Sequence, residues 1–282
     1  MNTSSDLESA TSRFAEVNGV RVHYHDLGAG TPLVLIHGSG PGAYGWANFS
    51  RNVAPLAEQF RVLCLDLPGF GRSDMKPACV PIPGWWAEVV GGLLDALDIE
   101  RAHFIGNSLG GMISLKLALT RPERVGRLVL MGTGGSLPVF TPWPTEGIKS
   151  IFGYYEGGGP SLERLRAFAQ QFVYDPRQLT DELLELRLER SLDPRIVANP
   201  PMRLTPGTVL EELWRDAGLT QLPHETLMVW GREDRVLPLD SAFVLLKQIP
   251  RARLWVLPQC GHWAQWEHAE EFNATVAQFL AA

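Results

Sequence analysis

The stretch AHFIGNSLGGM, Ala102 to Met112, runs from an apolar, strand-like segment through Gly106-Asn107-Ser108-Leu109-Gly110 into a helical pattern. A G-x-S-x-G pentapeptide between a strand and a helix puts a serine hydroxyl at the apex of a tight turn. Such a turn needs glycine two residues to either side of the serine, because a Cβ at either place would clash. The helix that follows then points its N-terminus at the serine. Its Leu109 N–H can donate to an oxyanion, and its dipole favours negative charge there. A serine in a glycine-rich turn is also an ordinary helix cap, so the rest of the chain has to decide between the two readings.

Working outward, Leu33 to Leu130 alternates between two patterns. LVLIH, RVLCLD, AHFIGN and RLVLMG read as strands, separated by the helix-like WANFSRNVAPLAEQF, WWAEVVGGLLDALDI and a helix from Leu109. That alternation implies a mostly parallel sheet with helices on both faces. Upstream, Asn18-Gly19 between two β-rich stretches signals a hairpin over Phe14 to Leu27. From Gly134 to about Leu219 no buried strand is legible. A Gly/Pro-rich stretch leads instead into helical patterns at Ser161 to Val173, Thr180 to Leu192 and Pro206 to Leu219. The strand rhythm returns with ETLMVWG, a helix from Leu239, ARLWVLP and an amphipathic helix from Glu267. The chain therefore divides into a first core part (1–135), an inserted helical cap (136–219) and a second core part (220–282).

A chain of 282 residues, 45% hydrophobic and 20% charged, buries enough surface for one sizeable domain with an insertion. The N-terminal MNTSSDLESATSR lacks an apolar leader core, and no apolar run reaches the roughly 18 residues that span a bilayer. A cytoplasmic location with no membrane partner is the expectation. Cys64, Cys79 and Cys260 are too few and too scattered for a disulfide framework or a zinc cluster. A net charge of −6 and a pI near 5.7 argue against nucleic acid as a partner. The expected partner is a small-molecule substrate, with no metal and no cofactor, and the expected assembly is a homo-oligomer, a dimer or higher. An anionic substrate would need a local cation in so acidic a chain.

A serine hydroxyl becomes a useful nucleophile only beside a histidine base held by a carboxylate, which in this turn type follow in the order Ser, Asp or Glu, His. Seven histidines are available. His23 and His25 lie in the hairpin, His103 within a strand, His224 before one and His268 at the last helix. His262, in QCGHWAQ directly after the final strand, can reach the carboxyl edge of the sheet and is the candidate base. Asp234, in GREDRVLP after the preceding strand, is the candidate acid, with Glu233 a solvated competitor. A rival reading exists. GSGPGA satisfies the G-x-G-x-x-G/A fingerprint of a dinucleotide-binding turn, and Asp66 stands where the ribose carboxylate would be. It leaves the order Ser108, Asp234, His262 unexplained. With that order taken as a triad, the same loop supplies a second oxyanion donor, the N–H of Ser39 or Gly40, to join that of Leu109.

Together HGSGPGA, GNSLGG, GREDRVLPLD and CGHWAQWEH resemble the α/β-hydrolases, and within them the meta-cleavage product hydrolases, from about Phe14 to the C-terminus. The resemblance implies a 2-hydroxy-6-oxohexa-2,4-dienoate-type substrate, split by water into a 2-hydroxypenta-2,4-dienoate and a carboxylic acid. A carboxylesterase with the same triad is the alternative. The resemblance also places polar substrate contacts on Asn48, Asn107, Arg187 and Trp263. Asn107 adjoins the nucleophile; Asn48 lies near a helix start and could equally be a cap. Arg187 follows Leu183 by four residues and Leu184 by three in a helix with Thr180 as its N-cap. It therefore falls on the apolar face, opposite Glu182, Glu185 and Glu189. The cap departs from the family pattern at the glycine- and proline-rich Gly157 to Pro160 and Asn199 to Gly207. Its aromatics Phe140, Trp143, Phe152, Phe168, Phe172 and Trp214 point to a bulky apolar or aryl group at C6 of the substrate.

Overall fold

In the computed structural model, which describes residues 4–77 and 79–282, eight strands form one sheet. They are β1 (Ser12–Val17), β2 (Val20–Leu27), β3 (Pro32–Ile36), β4 (Arg61–Leu65), β5 (Ala102–Asn107), β6 (Val125–Met131), β7 (Thr226–Gly231) and β8 (Ala252–Leu257). The order across the sheet is β1-β2-β4-β3-β5-β6-β7-β8. The β1–β2 and β2–β4 pairs are antiparallel, and every pair from β4–β3 onward is parallel. The central strands are buried over nearly their whole length and mostly apolar because helices cover both faces, including Gly84–Ala96 and Leu109–Thr120. Asn18 and Gly19 both take positive φ, 52° and 79°, which is the turn geometry that matches strand twist, and Val17 pairs Val20. After β3 the chain goes first to one side, to β4, and then to the other, to β5. That reversal opens a crevice at the carboxyl ends of β3 and β5.

Two helical expectations change on folding. WANFSRNVAPLAEQF forms two short helices, Gly45–Phe49 and Val53–Ala57. Pro55 has no N–H to give the Arg51 carbonyl, which instead accepts from Asn273 Nδ2 at 2.9 Å. Pro206 to Leu219 is not a helix either. Ile82 N–H donates to the Val209 carbonyl and Glu211 N–H to the Ile82 carbonyl, each at 2.8 Å. With those groups committed to a bridge between Ile82 and Leu210, only 3₁₀ turns at Leu213–Arg215 and Ala217–Gln221 remain.

The insertion between β6 and β7 carries the helices Glu146–Gly153, Leu162–Phe172, Asp181–Ser191 and Pro194–Ala198. Each starts at a side chain that accepts a backbone N–H: Thr145 from Ile148, Ser161 from Arg164, Thr180 from Leu183 and Asp193 from Arg195. The first of these helices was hidden behind the Gly/Pro-rich stretch; its one sequence signal was the Thr145-Glu146 cap. Their apolar stripes, Leu165, Phe168, Phe172, Leu183 and Leu184 among them, are buried over the crevice. No helix among the described residues is long and apolar enough to cross a membrane.

Candidate active site

Ser108 occupies a conformation that side chains rarely adopt, φ 55° and ψ −111°, at the junction of β5 and the helix Leu109–Thr120. Close packing fixes the flanking glycines. A Cβ on Gly106 would stand 2.3 Å from the Gly110 carbonyl oxygen, and one on Gly110 would stand 2.0 Å from that of Ile36. The turn is pinned to β6: Ser108 N–H donates to the Met131 carbonyl at 2.9 Å and Gly134 N–H to the Ser108 carbonyl at 3.2 Å.

From the next strand end comes Asp234, 6% exposed, whose Oδ1 accepts from the backbone N–H of Val236 (2.8 Å) and Leu237 (2.9 Å). Its Oδ2 is 2.7 Å from Nδ1 of His262, which is 1% exposed. The imidazole thereby donates from Nδ1, while Nε2 is buried with no hydrogen-bond partner among the described residues. A Cβ on Gly132, next to Met131, would lie 2.9 Å from that Nδ1, so the base sits against the strand end that holds Ser108. Glu233 faces elsewhere, paired with Arg232 and accepting from Cys260 N–H.

The glycine-rich loop has a packing explanation that the dinucleotide reading lacks. A Cβ on Gly38 would come 3.0 Å from Asn107 Oδ1, one on Gly40 2.8 Å from Phe168 and 3.1 Å from an Arg187 Nη, and one on Gly42 1.9 Å from the Arg187 carbonyl oxygen. The backbone is threaded between the serine turn and a cap helix, with room for nothing larger than glycine. His37 anchors it. Nδ1 donates to the Gly38 carbonyl and Nε2 accepts from Leu67 N–H, and burial pushes this imidazole down to about 4, keeping it neutral. Asp66 is committed too: it is fully buried and accepts from Gly45 N–H, Arg72 N–H and His23 Nδ1. It is a brace for this loop.

Arg187 is the unusual charge. It is 2% exposed, and no carboxylate among the described residues pairs with it. Its Nε has no hydrogen-bond partner, and its guanidinium lies over the Trp263 ring, 4.8 Å from the centroid. Burial pushes it down to about 10, with only the Tyr44, Tyr155 and Tyr154 side chains acting the other way. Asn48 and Asn107 add two more buried, unpartnered atoms, Asn48 Nδ2 and Asn107 Oδ1. Asn48 lies inside a helix and does not cap it. Arg187 Nε, Asn48 Nδ2, Asn107 Oδ1 and His262 Nε2 thus remain buried polar atoms whose hydrogen bonding nothing among the described residues completes.

A family model described as the alpha/beta hydrolase fold matches residues 31–269. A 2-hydroxy-6-oxononadienedioate/2-hydroxy-6-oxononatrienedioate hydrolase of Burkholderia vietnamiensis is 45% identical, over 97% of this chain and 96% of that one. The protein of the same name from Escherichia coli O139:H28 is 43% identical over 100% and 99%. Among solved structures, a meta-cleavage product hydrolase from Pseudomonas fluorescens IP01 (CumD) superposes with a TM-score of 0.84 at 37% identity, covering 95% of this chain and 97% of that one. The 2-hydroxy-6-oxo-6-phenylhexa-2,4-dienoate hydrolase from Rhodococcus sp. strain RHA1 gives 0.82 at 31% identity, covering 96% and 100%. The chain belongs to the alpha/beta hydrolase fold family, on its meta-cleavage product hydrolase branch.

Beyond the serine, a cavity opens within this hydrolase. Ser39, Ser108 and Leu109 share a cavity of about 290 Å³ with Met112, Trp143, Ile151, Phe152 and Trp214. Phe168 and Phe172 do not line it; they pack around Gly40, His262 and Trp263. Phe140 is 81% exposed and does not line the cavity. Sequence reading missed Glu267, whose carboxylate accepts from Gly261 N–H (2.7 Å) and Tyr174 N–H (2.5 Å), tying the His262 loop to the cap. Its only signal was an acid in the motif that follows His262.

Proposed function

We propose that Ser108, His262 and Asp234 form the catalytic triad of a carbon–carbon bond hydrolase acting on 2-hydroxy-6-oxohexa-2,4-dienoate-type products of aromatic ring fission. The observation that carries this reading over a simple esterase is Arg187, buried without an acid beside the triad. A neutral ester gives such a cation nothing to do; a dienoate brings it a carboxylate. Arg187, with Asn48, Asn107 and Trp263 around it, holds the C1 carboxylate and the C2 oxygen. The 136–219 insertion acts as the cap over both subsites, and the apolar cavity beyond Ser108 receives a bulky or aryl C6 group.

The chemistry follows from that placement. Ketonisation moves the 2-hydroxyl proton to C5, so that the C5–C6 bond gains an electron sink. Ser108 Oγ attacks the C6 carbonyl and passes its proton to His262 Nε2, while N–H groups of Leu109 and of Ser39 or Gly40 stabilise the alkoxide. Collapse breaks C5–C6, and the electron pair returns to the C2 oxygen, which takes the proton from His262. The 2-hydroxypenta-2,4-dienoate leaves. Water, deprotonated by His262, then clears the acyl group from Ser108 as a carboxylic acid.

The test is to mix the protein with yellow ring-fission products bearing methyl, isopropyl and phenyl groups at C6. Bleaching of the chromophore with release of the acid is expected. Hydrolysis of p-nitrophenyl acetate with every dienoate left intact would make the protein an esterase. A cytoplasmic homo-oligomer fits three free cysteines and the exposed apolar run Leu137, Val139 and Phe140. Light scattering checks the assembly, and cell fractionation the location.

A further inference from the structure

The cavity beyond Ser108 is mostly apolar, and its charged lining is all of one sign. Its lining includes two carboxylates, Glu211 and Glu212, and no lysine, arginine or histidine. Glu212 is half exposed and paired with Arg215 at the rim. Glu211 is held from three sides. Its backbone N–H donates to the Ile82 carbonyl, its Oε1 accepts from Gly84 N–H at 3.1 Å, and its Oε2 is 2.5 Å from Lys116 Nζ. Lys116 stands one helical turn beyond Met112, which does line the cavity, so its ammonium sits just behind the wall. Arg203 lines the adjoining cavity, which shares Ser39, Ile151, Phe152 and Met202 with this one, and its Nη1 donates to the Ala198 carbonyl.

We propose that Glu211 is a specificity-determining residue: by holding Lys116 behind the cavity wall it leaves a distal subsite that accepts an uncharged C6 group and rejects one ending in a second carboxylate. The proposal rests on the reading that the C6 group of a dienoate enters this cavity. A carboxylate placed there would lie beside Glu211 and Glu212, with no lysine, arginine or histidine among the described lining residues to pair with it, and an unpaired buried charge is costly. The relatives of highest identity quoted above are named for dienedioates, so the wall of this cavity departs from what overall identity implies.

The experiment measures kcat/KM for 2-hydroxy-6-oxo-6-phenylhexa-2,4-dienoate and for 2-hydroxy-6-oxononadienedioate, with Tm recorded for every variant. The parent should favour the phenyl compound by at least about 100-fold. Glu211→Gln frees Lys116 and should raise the dienedioate-to-phenyl ratio about 10-fold, the worth of one charge-assisted hydrogen bond. Adding Lys116→Met should abolish that gain. Lys116→Gln alone leaves Glu211 uncompensated and should lower the ratio below the parent's, which keeps the idea testable if Glu211→Gln fails to fold. A parent that turns over the dienedioate as well as the phenyl compound would overturn the proposal and leave the carbon–carbon hydrolase reading intact. So would a gain that survives Lys116→Met. If the parent cleaves neither dienoate but does cleave p-nitrophenyl acetate, the hydrolase reading fails and the proposal with it.

Discussion

The two sides of Ser108 are built on opposite physical plans. On one side lie a buried, unpaired guanidinium, an unpartnered amide donor and an unpartnered amide acceptor; on the other lie tryptophans, isoleucines and two acids already paired with cations. The first side keeps polar atoms without partners among the described residues, and on the proposed reading the substrate's carboxylate and C2 oxygen supply them. The second is satisfied already, and a ligand there gains by shape and by removing apolar surface from water. On that reading the unpartnered polar groups meet the end common to every substrate, and the apolar wall selects among C6 groups.

The largest test of this division acts on the wall common to both halves. Ser108→Ala keeps the turn and the oxyanion donors but removes the nucleophile. Turnover of a dienoate should fall by about 10³-fold or more, with binding retained by titration. Turnover within tenfold of the parent would remove Ser108 from the mechanism. Arg187→Gln comes next and addresses the polar side only. Losing a contact of about 1.5–3 kcal/mol should lower kcat/KM on the dienoate by roughly 10- to 100-fold relative to p-nitrophenyl acetate. Equal losses on both substrates would mean that Arg187 supports the cap and binds nothing. On the apolar side, Trp214→Ala should cut the preference for a C6-phenyl over a C6-methyl compound by about 10-fold, the usual worth of lost hydrophobic contact in a pocket. An unchanged preference would place the C6 group elsewhere.

The smallest effect concerns the scaffold beneath both halves. Unfolded, His25, His37 and His103 titrate near the ordinary value of 6.5; folded, burial holds each down at about 4. Between those values the unfolded chain binds protons that the folded chain refuses. The stability these neutral imidazoles contribute is therefore complete above about pH 6.5 and is lost as pH falls toward 4. Glu267, pushed up to about 7 by burial, and Glu8, also pushed up by burial, act in the opposite sense above pH 4.5, but His224, pushed down by burial, joins the other three histidines. The Tm at pH 4.5 should lie several degrees below that at pH 7. A flat profile would mean that the histidines are protonated in place and that the His37 anchor of the glycine loop is not a neutral one.

Local chemistry in the sequence reached far. Asn18-Gly19 set a hairpin, because few other pairs accept two positive φ angles in succession. Gly106 and Gly110 set the serine turn, because any Cβ there meets backbone at about 2 Å. The placement of Asp234 and His262 after successive strands put them at the carboxyl edge, because parallel strands all end on the same side. Thr180 and the spacing of Leu183, Leu184 and Arg187 turned the arginine inward, because a helix has one apolar face. What local pattern could not decide was every choice between competing partners. Pro206 to Leu219 carries a helical pattern, yet its backbone bonds to Ile82, more than a hundred residues away. Asp66 stands where a ribose-binding acid would, yet its oxygens accept from Gly45, Arg72 and His23. Glu211 and Lys116 look like surface charges until the fold sets them together behind a cavity wall. Hydrogen bonds and ion pairs go to whichever partner folding brings nearest, and only the packed chain decides which that is.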